Sequence, residues 1–425
     1  MSRIVVTTLG TLGDLHPMIA VALELQQRGH DVVFVTHQVY QTKLEALKFE
    51  FHPMRPDFTA MNDLQEMARM MDLKTGQEYM VRQWVNPSLR EMYTDLLAVA
   101  KGADFIFSGE GVIATALVTE TLGMRWASSA MTPLSFFSAH DPPVLAPFPS
   151  LAKLYKLGPS VNQSMINFAK LVSNSWADPI RQLRCELGLP ALRGNPFIDS
   201  KFSPYLVVAL FSQALAKPQP DWATNTVIAG FTFYDGTQAG AELTPELKQF
   251  LDAGEPPIVF TLGSAAVMTP GDFYQQSIQA AKLLNRRAVL LIGNNAPPTN
   301  LSEGIIAASY APYSQIFPRA CAVVHQGGMG TTAQALRAGR PTLIMPYSHD
   351  QPDNAARVKR LGTSLTIPRK RYVAMQVANQ LRKLLENPNY VAKATEIGCI
   401  IQAENGVGVA CDAIEKQLQT ISSLP

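Results

Sequence analysis

His325-Gln326-Gly327-Gly328-Met329-Gly330-Thr331-Thr332 follows a short apolar run, 322–324, and opens a helical stretch to Ala338 that Gly339 and Pro341 close. A strand that ends in glycines and passes into a helix N-terminus is suited to an anion. The glycines let the backbone approach a ligand. The free N–H groups and dipole of the first helical turn favour phosphate. Thr331 and Thr332 add hydroxyls, and a neutral imidazole at His325 can donate to a phosphate oxygen. The competing reading is a tight strand-to-helix turn with a capping histidine. The glycine spacing matches neither the G-x-G-x-x-G of dinucleotide sites nor a Walker A loop.

Outward from this loop, the apolar run 342–345 ends in Pro346-Tyr347-Ser348-His349-Asp350-Gln351-Pro352-Asp353-Asn354-Ala355. One strand on, this segment belongs beside the glycine loop. There an acid and an amide can hold vicinal hydroxyls, although a helix N-cap alone would also account for the residues. Apolar runs at 258–262 and 288–292, separated by helical stretches, complete an open α/β sheet. In such sheets ligands bind outside the carboxyl ends of the strands.

The same rhythm occupies the first half. The run 4–9 ends in Gly10, and Met18, Val21, Ala22 and Leu25 fall at i, i+3, i+4 and i+7. Pro17 is expected in the first helical turn and Gly29 at the stop. A second strand at 32–35 makes this a βαβ unit. Further strands are expected at 105–107 and 207–211, a helix at 112–122, a loop at 133–149 and helical structure over 151–189. Pro, Gly, Thr and Asn crowd 216–244, which reads as a linker. The expected layout is a first domain over 1–215, the linker over 216–244, a second domain over 245–405 and a terminal helical segment over 406–425.

Bulk properties agree with two cores. The chain has 425 residues, 47% of them hydrophobic, and a net charge of +2, which gives no support to nucleic-acid binding. The four cysteines show no metal-binding or disulfide spacing. The N-terminus does not read as a signal peptide and no run of about 18 apolar residues occurs. The expectation is a cytoplasmic protein. Residues 151–185 carry five basic side chains against one acid, Asp178. That balance fits an ordinary solvated face or peripheral contact with an anionic membrane surface equally well.

The stretch from Tyr310 to Gly362 resembles the nucleotide-sugar signature of glycosyltransferase family 1. Gly10-Thr11-Leu12-Gly13-Asp14-Leu15-His16-Pro17 resembles the acceptor-side loop of the same family. The likeness spans nearly the whole chain. It is nearest the bacterial branch of glycopeptide, sterol and rhamnolipid glycosyltransferases. Ser138-Ala139-His140, Pro218-Gln219-Pro220-Asp221-Trp222, Phe233-Tyr234-Asp235-Gly236 and Gly271-Asp272-Phe273-Tyr274 look most like the rhamnosyltransferases of that branch. The resemblance implies a GT-B fold: α/β, with two Rossmann-like domains facing each other across a cleft. It also implies inverting transfer of a hexose or deoxyhexose from a UDP- or dTDP-sugar to a hydroxyl of a lipophilic acceptor, such as a lipid, sterol, carotenoid or other natural product.

Carried over residue by residue, the resemblance gives the diphosphate to His325, Gly327, Gly328, Gly330, Thr331 and Ser264. It gives the base to Tyr310 and Ala311 and the sugar hydroxyls to Asp350 and Gln351. Tyr313 departs from the plant pattern, which has glutamine there. Asp14 stands where plant relatives carry a catalytic histidine and glycopeptide and sterol enzymes an aspartate, so it is the expected base. Gly109 occupies the position of the plant enzymes' second aspartate, and a carboxylate base needs no partner to fix a tautomer. His16 is a rival base, expected in a loop. His16, Glu110, Phe136 and Phe137 are the expected acceptor-pocket residues. No D-x-D pair occurs, so no metal and no cofactor beyond the sugar nucleotide is expected. A sugar-nucleotide epimerase and a non-catalytic sugar-nucleotide-binding protein are the rival readings. The intact Asp14 loop argues against both.

Overall fold

The structure is a computed structural model that describes residues 1–57, 63–236, 242–299 and 301–422. Residues 237–241 of the expected linker and 423–425 of the terminal segment lie outside it. Two parallel sheets carry the architecture. The first holds β1 (Arg3–Thr7), β2 (Asp31–Thr36), β3 (Glu50–Pro53), β4 (Phe105–Ser108), β5 (Trp126–Ala130), β6 (Leu206–Ala209) and β7 (Thr226–Ile228), in the order 3-2-1-4-5-6-7. The second holds β8 (Ile258–Thr261), β9 (Ala288–Leu291), β10 (Ile305–Ala308), β11 (Ala322–His325), β12 (Thr342–Ile344) and β13 (Ser364–Thr366), in the order 10-9-8-11-12-13. Helices cover both faces, which is why strands such as Ile4-Val5-Val6 are fully buried and read as unbroken apolar runs. In each sheet the order reverses beside a central strand, β1 and β8. The crevice at that reversal is where an open α/β sheet binds ligands.

Several elements differ from the expectation. The first helix runs Leu12–Gln27 and places Pro17 inside rather than in its first turn. Its start is set by a capping box. The Thr11 side chain accepts from the Gly13 N–H, and the Asp14 carboxylate reaches back to the Thr11 N–H. His16 is therefore a helical residue. The 151–189 region is two helices, Pro159–Val172 and Asp178–Glu186, broken by Gly158 and by 3-10 turns. The stretch read as a linker contributes β7 to the first sheet.

The chain passes twice between the domains. It leaves the first after β7, and it returns where the Pro388–Ala403 helix gives way to the Gly406–Ser422 helix. The last helix lies on the first domain. Arg28 pairs with Asp412 and Glu415, and Cys411 and Ile414 enter the core beneath it. The two crossings adjoin: Ser212 Oγ donates to Glu404 Oε1 at 2.6 Å, and a side chain on Gly406 would strike the Phe231 carbonyl. Residues Pro388–Thr420 are long and apolar enough by composition to cross a membrane. Here they are two helices whose Ile397, Ile401, Ala410 and Ile414 are core residues.

Elsewhere the domains are bound by buried charge and by a short helix. Arg357, 2% exposed, bonds Asp353 on its own helix and Asp141 of the first domain. Met67 and Met71, at the Leu64–Met70 helix, enter the hydrophobic core of the second domain.

Candidate functional site

The end of β11 delivers His325 into the interior, fully buried. Its Nδ1 accepts the Gly327 N–H at 3.0 Å, so the ring proton sits on Nε2, and Nε2 has no partner. Burial pushes this imidazole down to about 3. It is a neutral donor waiting for an acceptor. Gln326 Oε1, Thr332 Oγ1 and Asn354 Oδ1 are also buried without partners. Unsatisfied buried groups cost stability unless a ligand completes them, and four of them meet around one loop. The helix Met329–Arg337 starts at Gly328, which has no side chain to cap it, and carries no acid in its first turn. Its first N–H groups are open to an anion.

The surrounding residues hold this loop. Asn354 Nδ2 donates to the Gly327 carbonyl at 2.9 Å and to Asp350 Oδ2 at 2.6 Å. Tyr313 stacks on Phe317 with ring centroids 4.4 Å apart, and its hydroxyl meets Thr261 Oγ1 at 2.9 Å. The tyrosine that replaces the plant glutamine thus supports the end of β8. Ser264 lies in the one-turn helix that follows β8, partly exposed, and Gly263 before it abuts Gln326 and Thr331.

Tyr310 is 63% exposed, as a platform for a planar ligand would be. Ala311 is buried in the core, which leaves only its backbone to meet a base. Gln351 is likewise committed. Its Oε1 accepts the Tyr347 and Ser348 N–H groups and pins the turn, so its amide can offer a sugar only its N–H donors.

Across the cleft, Gly10 at the end of β1 has φ +125°, and a side chain there would strike Asp14 Oδ2. His37, at the end of the neighbouring β2, accepts the Gly10 N–H on Nε2, and Tyr40 donates to the Gly10 carbonyl. The Asp14 loop meets the glycine loop directly: a Cβ on Gly330 would lie 3.8 Å from the Gly13 Cα. Desolvation raises Asp14 to about 6, aided by the Glu110 charge and opposed by the hydrogen bond from Thr11. Asp350 rises to about 7, through desolvation first and then the charge of Asp14. A base candidate of one domain and a carboxylate of the other therefore share one electrostatic environment. An aspartate at Gly109 would need Thr8 to shift, because its Cβ would lie 2.7 Å from Thr8 Oγ1.

Of the expected acceptor residues, His16 faces Lys43, with Nε2 3.0 Å from Nζ, and lies against Tyr234. Desolvation and that lysine push it down to about 4. Glu110 accepts from the Met131 N–H, Ser135 Oγ and Lys201 Nζ, which makes it a brace for the 131–135 segment. Phe136 is buried and stacked on Trp222 with ring centroids 4.0 Å apart, in an apolar cluster with Phe211. Phe137 remains partly exposed, under the Lys201 ammonium. The 138–141 segment is fixed by Asp221, which accepts from Ser138 Oγ and the Ala139 N–H at 2.7 Å each.

The model of the glycosyltransferase family 28 N-terminal domain matches residues 4–119, and that of the erythromycin biosynthesis protein CIII-like C-terminal domain matches residues 282–405. O-mycaminosyltylonolide 6-deoxyallosyltransferase of Streptomyces fradiae is 29% identical over 98% of both chains. The protein is a glycosyltransferase of the GT-B fold. The transferase is also 27% identical to the sterol 3-beta-glucosyltransferase of Neurospora crassa, over 99% of this chain but only 28% of that much longer protein. Among solved structures, the calicheamicin glycosyltransferase superposes with a TM-score of 0.72 at 14% identity, over 99% of both chains. The spinosyn rhamnosyltransferase complexed with thymidine diphosphate superposes with a TM-score of 0.65 at 17% identity, over 97% of this chain and all of that one.

The raised Asp350 makes a stability prediction for the transferase. Unfolded, this carboxyl titrates near its ordinary 3.8; folded, near 7. Folding favours its protonated form, so its contribution is fully present below pH 4 and is lost as pH rises through 7. Asp350→Asn keeps an acceptor for Asn354 and removes the charge. It raises the melting temperature by about 2–4 °C at pH 8 and leaves it unchanged at pH 4. A scan in which the gain is equal at both pH values would assign it to something other than this ionisation.

Proposed function

We propose that the transferase moves a sugar from a nucleoside diphosphate to a hydroxyl of a lipophilic small molecule, by direct displacement with inversion and without a metal. The observation that carries this reading is the buried neutral His325, whose Nε2–H lacks a partner at an uncapped helix N-terminus facing Asp14. The second domain binds the donor. Its diphosphate lies on the Met329–Arg337 helix, touching Gly327, Gly328, Gly330, Thr331 and Ser264. Tyr310 stacks on the base, and Asp350 and the Gln351 amide hold sugar hydroxyls. The first domain binds the acceptor. Asp14 takes the acceptor proton as the acceptor oxygen attacks the anomeric carbon. The bond from that carbon to the diphosphate oxygen breaks, and the charge that develops there meets the His325 N–H and the helix N-terminus.

Relatives named for macrolide and sterol substrates, and a neighbour that holds thymidine diphosphate, support a polycyclic or macrocyclic acceptor and a dTDP- or UDP-sugar. Four cysteines without disulfides fit a cytoplasmic setting. Incubation with labelled sugar nucleotide and an acceptor panel tests the proposal. A glycoside product supports it. Altered free sugar nucleotide would indicate an epimerase, and binding with no product a non-catalytic protein.

Metal independence is tested separately. Activity persists in EDTA if, as proposed, His325 and the helix N-terminus meet the leaving charge without a cation. Loss in EDTA with recovery on adding Mg²⁺ or Mn²⁺ would overturn that part alone.

A further inference from the structure

One surface of the first domain is unlike the rest. The 3-10 turns Pro149–Leu157 and the helix Pro159–Val172 pack on each other and leave Phe148, Leu154, Leu157, Phe168, Leu171 and Val172 exposed. Leu157 is 65% exposed, Phe168 54% and Leu171 73%. On the helix, Phe168, Leu171 and Val172 fall at i, i+3 and i+4, on the side away from the buried Asn162 and Ile166. Contiguous apolar surface of this kind marks an interaction site. Its charge is one-sided. From Pro142 to Ala177 the sequence has no aspartate or glutamate, while Lys153 and Lys156 are exposed among the apolar side chains. Lys170 is paired with Asp199, and neither Lys153 nor Lys156 has an ion pair among the described residues.

We infer that this face docks the protein on an anionic lipid bilayer, its leucines and phenylalanines in the acyl boundary and Lys153 and Lys156 against the headgroups. A second copy of the chain fits less well, because a two-fold contact brings the patch onto itself and sets uncompensated lysines against lysines. The face is tied to the cleft. Asn162 donates to the Ala139 carbonyl at 2.9 Å and the Tyr155 hydroxyl to the Pro143 carbonyl. The same segment reaches Asp353 and Arg357 of the second domain through Val144 and Asp141. Docking thus sets the 138–144 wall of the cleft beside the bilayer, where an apolar acceptor accumulates. The inference stands on surface chemistry and not on the transfer reaction.

Co-sedimentation of the full chain with vesicles tests it. The protein pellets with phosphatidylcholine–phosphatidylglycerol vesicles at low salt and far less with phosphatidylcholine alone. Lys153→Ser with Lys156→Ser lowers the partition coefficient on anionic vesicles about thirtyfold, from roughly 1 kcal/mol per lysine. Leu157→Ser with Leu171→Ser abolishes pelleting. All four positions are exposed, so both variants keep the wild-type melting curve and the wild-type thermal shift with dTDP or UDP. Failure of wild type to pellet with anionic vesicles overturns the inference, as does wild-type pelleting by both variants. A concentration-dependent dimer in solution that the leucine variant dissolves would give the face to a second copy instead. Absence of glycosyl transfer would leave the pelleting result unchanged.

Discussion

Asp14→Asn lowers turnover by about 10²–10⁴, the range for loss of a general base, while the affinity for nucleoside diphosphate stays close to wild type. The asparagine oxygen can still accept the Thr11 N–H, so the capping box and the helix start survive. What is lost is the proton acceptor. A carboxylate raised to about 6 suits proton abstraction near neutrality better than one at its ordinary 3.8. The same value fixes the sign of the pH profile. kcat/KM is steady above pH 6 and falls tenfold per pH unit below it, since only the ionised form can take the proton. His16→Ala is the control and costs far less, because His16 is occupied by Lys43 and held neutral. Loss of turnover in His16→Ala with retention in Asp14→Asn would make the histidine the base.

His325→Ala reduces turnover by about 10²–10³, the usual consequence of removing one preorganised donor from a developing anion. It also weakens nucleotide binding, because the Gly327 N–H loses its acceptor on Nδ1 and the loop loses its anchor. Burial holds the ring near 3, so it stays neutral through the physiological range and adds no histidine ionisation to the pH profile. Steady-state kinetics and a dTDP or UDP titration check both effects. Wild-type values in both would remove His325 from the donor site.

Much of this was legible in the sequence, and what was not has physical causes. Strands buried on both faces announce themselves as runs such as Ile258–Thr261. β5 does not, because Trp126-Ala127-Ser128-Ser129-Ala130 buries two serines and has no β-branched residue. β3 is a short edge strand of mixed polarity, Glu50-Phe51-His52-Pro53, and β7 lies among prolines and glycines. Pro17 misled the helix boundary because local propensity yields to a capping box that starts six residues earlier, at Thr11. In the site, the glycine loop could be read because its residues are contiguous. The roles of Asn354, Tyr313 and His37 depend on partners 27 to 52 residues away, and no pattern in one sequence shows such pairing. A strand-end rule applied to β2 would have found His37. Phe136 is the opposite case: an apolar residue in a loop looks the same in sequence whether it lines a pocket or packs, as here, on a tryptophan.

The double passage of the chain between the domains works as a spine. Two adjacent tethers, near Phe231 and near Glu404, are stitched by Ser212, so any separation of the halves would swing about them like the opening of a book. Such a separation would break the Asp141–Arg357 pair, the Ser348 hydroxyl on the Asp72 carbonyl and the His349 ring on Gln77. Asp14 and Asp350 ride on facing pages, so their mutual repulsion acts as a weak spring between the leaves. It is relaxed in acid, when both carboxyls are protonated, and strongest above neutrality, when both are charged.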